Sequence, residues 1–346
     1  MNERTATPDS QQKLPITRRA FLGSAAAVSC TAAVACFAGE RGYGRFFAGH
    51  DLPLGLQLYT LGEAPYKDLE GTLKAVANIG YRTVETVGLM NRTASELRAA
   101  LDRAGLSCPS AHVPIQPGGP GPTLSGDLGK LAAQMHRIGA RCVVVPILPV
   151  PPRFGGPRKG ENGLEFLSRI ASEMTADDWR RTAKLLNEKG AALQREGLKL
   201  AYHNHNIEFV KSGSKTGFDL LLENTEPGVV GFEMDVGWVA AAGVDPIRLL
   251  RAHRGRFRLM HIKDLKASTV PNNAFKMDPA EVGSGSLDWK AILPVGYDVG
   301  VRYYYVEQEP PFAGPRLAAA RADYEYLARL TVPLQPLPLS RRASRT

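Results

Sequence analysis

The stretch LKLAYHNHNIEF, residues 198–209, opens like a buried strand and ends in chemistry. Leu198, Leu200, Ala201 and Tyr202 form a short apolar run bounded by Gly197, the signature of a strand covered on both faces. Within six residues it then delivers His203, His205 and Glu208. Polar groups that close an apolar strand need partners, because an unpaired ionisable group is costly to bury. Strand alternation sends His203 and His205 to one face and Asn204 to the other.

The same unit extends in both directions. Upstream lies a helix, TADDWRRTAKLLNEKGAALQREG, with Trp179, Ala183, Leu186 and Leu193 on one face. Downstream GFDLLLENT forms another. The remaining strands read LGLQLYTL, RTVETVG, SCPSAHVPI, RCVVVPIL, VVGFEMDVGW, FRLMHIKD and RYYYVEQE, each followed by a helical stretch. In TASELRAALDRAG, Thr93 and Glu96 make a capping box and Gly105 a stop. Eight strands alternating with eight helices imply parallel strands joined by crossovers. At this length they predict a single α/β domain, a (β/α)8 barrel over residues 52–330. A linker is expected at 36–51 and a Pro- and Arg-containing tail at 331–346. Two Pro/Gly-rich insertions, 148–174 and 266–285, follow strands four and seven and read as substrate loops. No strand–helix turn carries a G-x-G-x-x-G or P-loop pattern.

Composition narrows the partners. The 346-residue chain is 44% hydrophobic and 22% charged, with a formal charge of +9. Its N-terminus carries Arg18-Arg19, an apolar run from Phe21 to Ala35 and an A-x-A pattern at 33–35. Thr17-Arg18-Arg19-Ala20-Phe21-Leu22 resembles a twin-arginine export signal, which implies a 1–35 signal peptide, the matching export machinery and a periplasmic location. Cys36 follows directly, so a lipid anchor is the alternative, although Ala33 stands where such anchors usually carry Leu. Cleavage would remove four basic and two acidic side chains and leave a charge of about +7. Spread thinly, that charge suits a small anionic or neutral substrate better than nucleic acid. No segment is long and apolar enough for a permanent span. Cys108 and Cys142 lack metal-knuckle spacing and read as buried free thiols.

In a barrel the strand C-termini share one mouth. Here they end in Tyr59, Glu85, His112, the 203–208 cluster, Asp235, His261 with Lys263 and Asp264, and Glu307 with Glu309. The fourth strand ends apolar, at Pro146. Any one of these has a bland reading, as a hydrogen-bonded core histidine or a turn aspartate. Together, carboxylates and imidazoles entering one mouth are best explained by a divalent cation. Mixed ligation of this kind suits Mn, Co, Fe or Zn, and Mg less well.

LQLYTL, AYHNHNIEF, EMDVGWVAAAGVDP, RLMHIKD and YYYVEQE, in that order and spacing, resemble the xylose-isomerase-like, or sugar phosphate isomerase/epimerase, superfamily of barrels. The exported branch carrying YHNH is the nearest likeness. The resemblance implies one divalent metal held by side chains of strands five to eight, here His203, Asp235, His261 and Glu307. His203 stands where the superfamily usually has a glutamate, and Glu208 competes for that role. The resemblance further implies a sugar or keto-sugar substrate and proton abstraction next to a carbonyl, giving an isomerase or epimerase. Glu307, Lys263 and His205 would be catalytic, with Lys263 alternatively paired to Asp264. Tyr59, Glu85, His112, Glu208 and Glu309 would contact substrate. The replacement of a glutamate by His203 puts a symmetric two-glutamate epimerase in doubt. It opens a dehydratase or lyase acting on inosose-like or 3-keto-glycoside substrates. A non-catalytic sugar-binding barrel is the third alternative. Barrels of this type often form homodimers, but no interface is legible.

Overall fold

The computed structural model describes residues 43–117 and 121–333. The expected signal peptide, Cys36 and most of the tail lie outside the described residues. Eight parallel strands close into a barrel: β1 (Leu54–Gln57), β2 (Thr83–Val87), β3 (Ser107–His112), β4 (Cys142–Val145), β5 (Lys199–His203), β6 (Val230–Asp235), β7 (Phe257–Ile262) and β8 (Tyr303–Val306). Each pairs with the next, and β8 returns to β1 through Tyr305 opposite Gly55. Gly55 is required there, because a Cβ would lie 2.4 Å from the Tyr305 ring.

The crossover helices are α1 (Leu69–Ile79), α2 (Ala94–Ala104), α3 (Leu128–Ile138), α4 (Ala176–Arg195), α5 (Gly217–Asn224), α6 (Pro246–Ala252), α7 (Trp289–Val299) and α8 (Arg316–Arg329). Their starts follow the sequence. The Thr93–Glu96 capping box opens α2, and Thr175–Asp178 and Thr216–Asp219 do the same for α4 and α5. Trp179, Ala183, Leu186 and Leu193 of α4 are all fully buried against the barrel. Each large apolar side chain so covered contributes roughly 1.5–3 kcal/mol relative to exposure. Cys108 and Cys142 are buried free thiols, as expected.

Four segments depart from the expectation. The first strand is shorter: residues 58–61 turn into a 3-10 helix, capped by the Gln57 side chain, which accepts the Tyr59 N–H at 3.1 Å. The linker expected at 36–51 is ordered in its second half. Tyr43–Arg45 pairs with Thr331–Pro333, and Phe46 and Phe47 pack under Tyr304. The insertion after β4 contains a full helix, Gly163–Glu173, with an Asn162–Glu165 capping box. The insertion after β7 folds back, with Pro279–Ala280 pairing against Asp264–Leu265.

Alternation then sorts the barrel interior into layers. Cys142, Val144, Ala201, Leu259 and Tyr305 form a small apolar floor. One step along each strand come Glu85, His112, His203, Glu233 and His261. At the mouth come Asp235, Lys263 and Glu307.

Candidate metal centre

Where the two upper layers meet, side chains from four consecutive strands come together. Ligand-type atoms of His203, Asp235, His261 and Glu307 all lie within 4.8 Å of one another, and all four residues are buried. Asp235 closes β6 and caps the short helix Val236–Ala241, its Oδ1 accepting the Trp238 N–H at 2.9 Å. Its Oδ2 faces the cluster without an aligned hydrogen bond. Lys263 Nζ is an ion-pair neighbour of that oxygen at 2.9 Å, and stands 3.2 Å from Glu307 and 3.0 Å from Glu309. Gly237 makes this possible: a Cβ there would come within 2.7 Å of the lysine side chain.

The electrostatics follow from this packing. Burial disfavours the charge on Lys263, but Asp235, Glu307 and Glu309 outweigh it and hold its pKa well above the ordinary value. Burial likewise opposes the Glu307 carboxylate, and Lys263 and His261 overcome it, holding that pKa well below the usual range. Glu309 goes the other way: burial raises it, Lys263 only partly offsetting this. Tyr59, whose pKa burial and the Glu309 and Glu307 charges push up to about 12, stays a neutral phenol.

A second layer lies beneath. Glu233 Oε2 accepts ring N–H groups from His112 at 3.0 Å and His203 Nδ1 at 3.0 Å, with His261 Nε2 at 3.2 Å. Glu85 Oε2 accepts from Gln57 at 2.8 Å and His261 Nε2 at 2.8 Å, with His112 Nε2 at 2.9 Å. Ser110 donates to the other Glu85 oxygen and also lies 2.8 Å from the Tyr305 hydroxyl. Burial would push His112 down, but the two carboxylates hold it at about 9. His261 is held well above its ordinary value in the same way, by Glu233 and Glu307. His203 is lowered, because burial, with the neighbouring His261 and His112, outweighs its contact with Glu233.

The other expected residues fall as follows. Glu85 is fully buried, bonded to His261 and Gln57. Glu208 turns away from the cluster. It accepts the Tyr202 hydroxyl at 2.7 Å and the His205 N–H at 2.8 Å, and burial lifts its pKa to about 7. Between the two competitors, the geometry therefore joins His203 to the ligand set. His205 does face the mouth. It packs against Phe275 and Trp238, and burial followed by the His203 and Lys263 charges keeps it neutral. Asp264 has the opposite parity to Lys263 and serves the second insertion, accepting Trp289 Nε1 at 2.8 Å and Gly283 N–H at 3.0 Å. It is not the lysine's partner. A cavity of about 1100 Å³ opens beside His112, lined also by Tyr59, Tyr66, Arg92, Lys130 and Pro146.

Sequence reasoning missed Glu233, Gln57, Ser110 and Tyr305. For Glu233 a signal was present: a charged residue between Phe232 and Met234, sharing parity with Asp235.

Comparison with known proteins agrees with the layered barrel. The profile of the xylose isomerase-like TIM barrel matches residues 73–330. The chain belongs to this family. Family relatives include an inosose dehydratase of Geobacillus kaustophilus (strain HTA426), 24% identical over 281 residues that cover 75% of this chain and 86% of the relative. An inosose dehydratase of Lacticaseibacillus casei is 27% identical over 221 residues, covering 58% and 68%. Among solved structures, a sugar phosphate isomerase/epimerase from Parabacteroides distasonis ATCC 8503 superposes with a TM-score of 0.62 at 24% identity, covering 80% of this chain and 93% of that one. The family is one of sugar-modifying enzymes, and the buried His, Asp and Glu group of this member could hold a metal ion.

Proposed function

We propose that the chain is a divalent-metal-dependent enzyme that removes a proton next to the carbonyl of a keto-sugar or inosose-like ring. The observation that carries this reading is the convergence of His203, Asp235, His261 and Glu307 within 4.8 Å at the barrel mouth. The set fits a borderline divalent ion, with two imidazoles and two carboxylates. Asp235 Oδ2 is a buried acceptor turned toward the cluster, beside the Lys263 ammonium at 2.9 Å. A bound ion supplies Lewis-acid stabilisation of charge that builds on a neighbouring oxygen.

The chain's own groups supply the rest. Glu307 is the carboxylate base, and takes the proton from the carbon beside the carbonyl as the electron pair moves onto the carbonyl oxygen. Lys263, 3.2 Å from Glu307, is the fixed cation that offsets the charge. Glu309 is the partly exposed carboxyl next to it and the group suited to hand a proton to a departing hydroxyl. His205, neutral between Phe275 and Trp238, is an uncharged partner for substrate hydroxyls.

Loss of water is the outcome favoured over epimerisation. Epimerisation needs a second base across the ring. The other glutamates of the cluster, Glu85 and Glu233, lie below the histidines with their Oε2 atoms held by ring N–H groups. The named dehydratase relatives agree with this. Isomerisation, which can proceed with one base, is the second reading. Export through the N-terminal segment is part of the proposal and would place the chemistry in the periplasm.

The test is incubation of the metal-loaded protein with an inosose in D2O. Water loss with deuterium uptake supports dehydration, and deuterium uptake in a rearranged ketose supports isomerisation. A protein that binds sugar but no ion, and exchanges no proton, is the non-catalytic alternative.

A further inference from the structure

His203 and His261 each have two ring nitrogens, and the two layers divide them. His203 turns Nδ1 to Glu233 at 3.0 Å and Nε2 toward Asp235 Oδ2 at 3.8 Å. His261 turns Nε2 to Glu85 at 2.8 Å and to Glu233 at 3.2 Å, and Nδ1 toward Glu307 at 2.6 Å and Asp235 at 3.8 Å. The two rings therefore use opposite atoms on the same side. A carboxylate only accepts, so each nitrogen it faces must carry the proton. His203 is left with Nε2 as the nitrogen with a lone pair to give, whereas His261, faced by carboxylates on both sides, holds both protons in the metal-free protein, and an ion would displace the one on Nδ1.

We propose that Glu233 and Glu85 are a positioning pair that assigns opposite tautomers to His203 and His261, so that His203 Nε2 and His261 Nδ1 are the ion-binding atoms. This rests on the reading of the outer four residues as an ion site. The pair is unusually well fixed for the task. Both carboxylates are fully buried, and they are bridged by His112, whose Nε2 is 2.9 Å from Glu85 and 3.0 Å from Glu233. Gln57 and Ser110 tie Glu85 to β1 and β3, so that carboxylate cannot follow a ring that rotates, and the shared His112 links Glu233 to it. Retaining two carboxylates at this depth is costly unless their charge is used. Outer partners that orient metal-binding histidines typically change metal affinity 10–100-fold when lost.

The experiment is 15N NMR of histidine-labelled protein, metal-free and zinc-loaded, for the full chain and for E233Q and E85Q, with zinc affinity measured by chelator competition. The expected result is Nδ1–H on His203 and Nε2–H on His261 in the zinc-loaded chain. E233Q should change the His203 pattern, E85Q the His261 pattern, and each should weaken zinc about 10–100-fold. E233D serves if E233Q does not fold, and partial recovery of affinity there is expected. Unchanged tautomers and unchanged affinity in both variants would overturn the inference while leaving the ion site standing. If the parent chain bound no zinc, the functional reading would fall. The metal-free His203 ring would still test the inference: a proton on Nε2 instead of Nδ1 would overturn it.

Discussion

Glu233 and Asp235 are two residues apart on one strand and share a face, yet they live in different surroundings. Glu233 meets three imidazoles and no lysine. Asp235 meets a helix N-terminus and the Lys263 ammonium, on the side from which a substrate would arrive. The comparison teaches that depth along a barrel strand sorts like residues by task. A carboxylate one step down is enclosed by its partners and holds them still. One step up it faces a lysine and the other ligand-type side chains, and can take part in chemistry.

The largest effect expected from this contrast is in the upper layer. The double variant H261A/D235A should retain no divalent ion and show only background turnover, as read by elemental analysis and by proton exchange. An ion held at parental stoichiometry would show that it binds away from this cluster.

Stability should rank the other way. E233A takes the acceptor from His203 Nδ1 and a buried charge from beside His112 and His261, and should cost about 3–5 kcal/mol, the range for breaking a buried charged pair. E307A leaves Lys263 with Asp235 and Glu309 as partners, so it should cost less, about 1–3 kcal/mol, while abolishing turnover. Urea unfolding of the metal-free proteins distinguishes the two, and equal losses would break the comparison. A smaller effect concerns Lys263, whose ammonium shares Asp235 and Glu307 with any ion that binds. K263M should bind the ion more tightly, by several-fold in calorimetric titration, and turn over more slowly. Weaker binding would show that the lysine organises the carboxylates rather than competing for them.

The smallest effect is on pH dependence. Burial holds the Glu208 carboxyl at about 7 in the fold, above its value in the unfolded chain. Its contribution is therefore fully present below the ordinary carboxylate range and is lost as pH rises through 7. E208Q should flatten the decline in melting temperature between about pH 5 and 8. An unchanged slope would show that Glu208 does not titrate in that window.

Much of this arrangement was legible from residue order. The strand count came from repeated apolar runs, and the upper layer from the residues that end them. Asp235, His261 and Glu307 close their strands, where a polar side chain stands out. The lower layer was obscured because it sits inside the apolar runs. Glu85 was visible but assigned to substrate, since its contact with His261 lies 176 residues away in sequence. Gln57 and Ser110 are ordinary neutral residues until the barrel closes and brings Glu85 to both. The helix at Gly163–Glu173 was hidden by the Pro/Gly-rich residues around it, although its Asn162–Glu165 cap was present in the sequence. The linker misreading has a similar cause: Tyr43–Arg45 is a strand only because Thr331–Pro333 arrives beside it.

Asn206 follows the histidine pair of β5 and holds the far insertion with its side chain. It donates to Asn272 at 2.9 Å and accepts the Phe275 N–H at 3.0 Å, while Asn273 donates to its carbonyl at 2.6 Å. Phe275, which packs on His205, thus takes its place from a residue on another strand's loop. Anyone transplanting the 266–285 loop between barrels of this kind would have to carry Asn206 with it. In evolutionary terms the two form a single heritable cassette, and their asparagines should be gained and lost together.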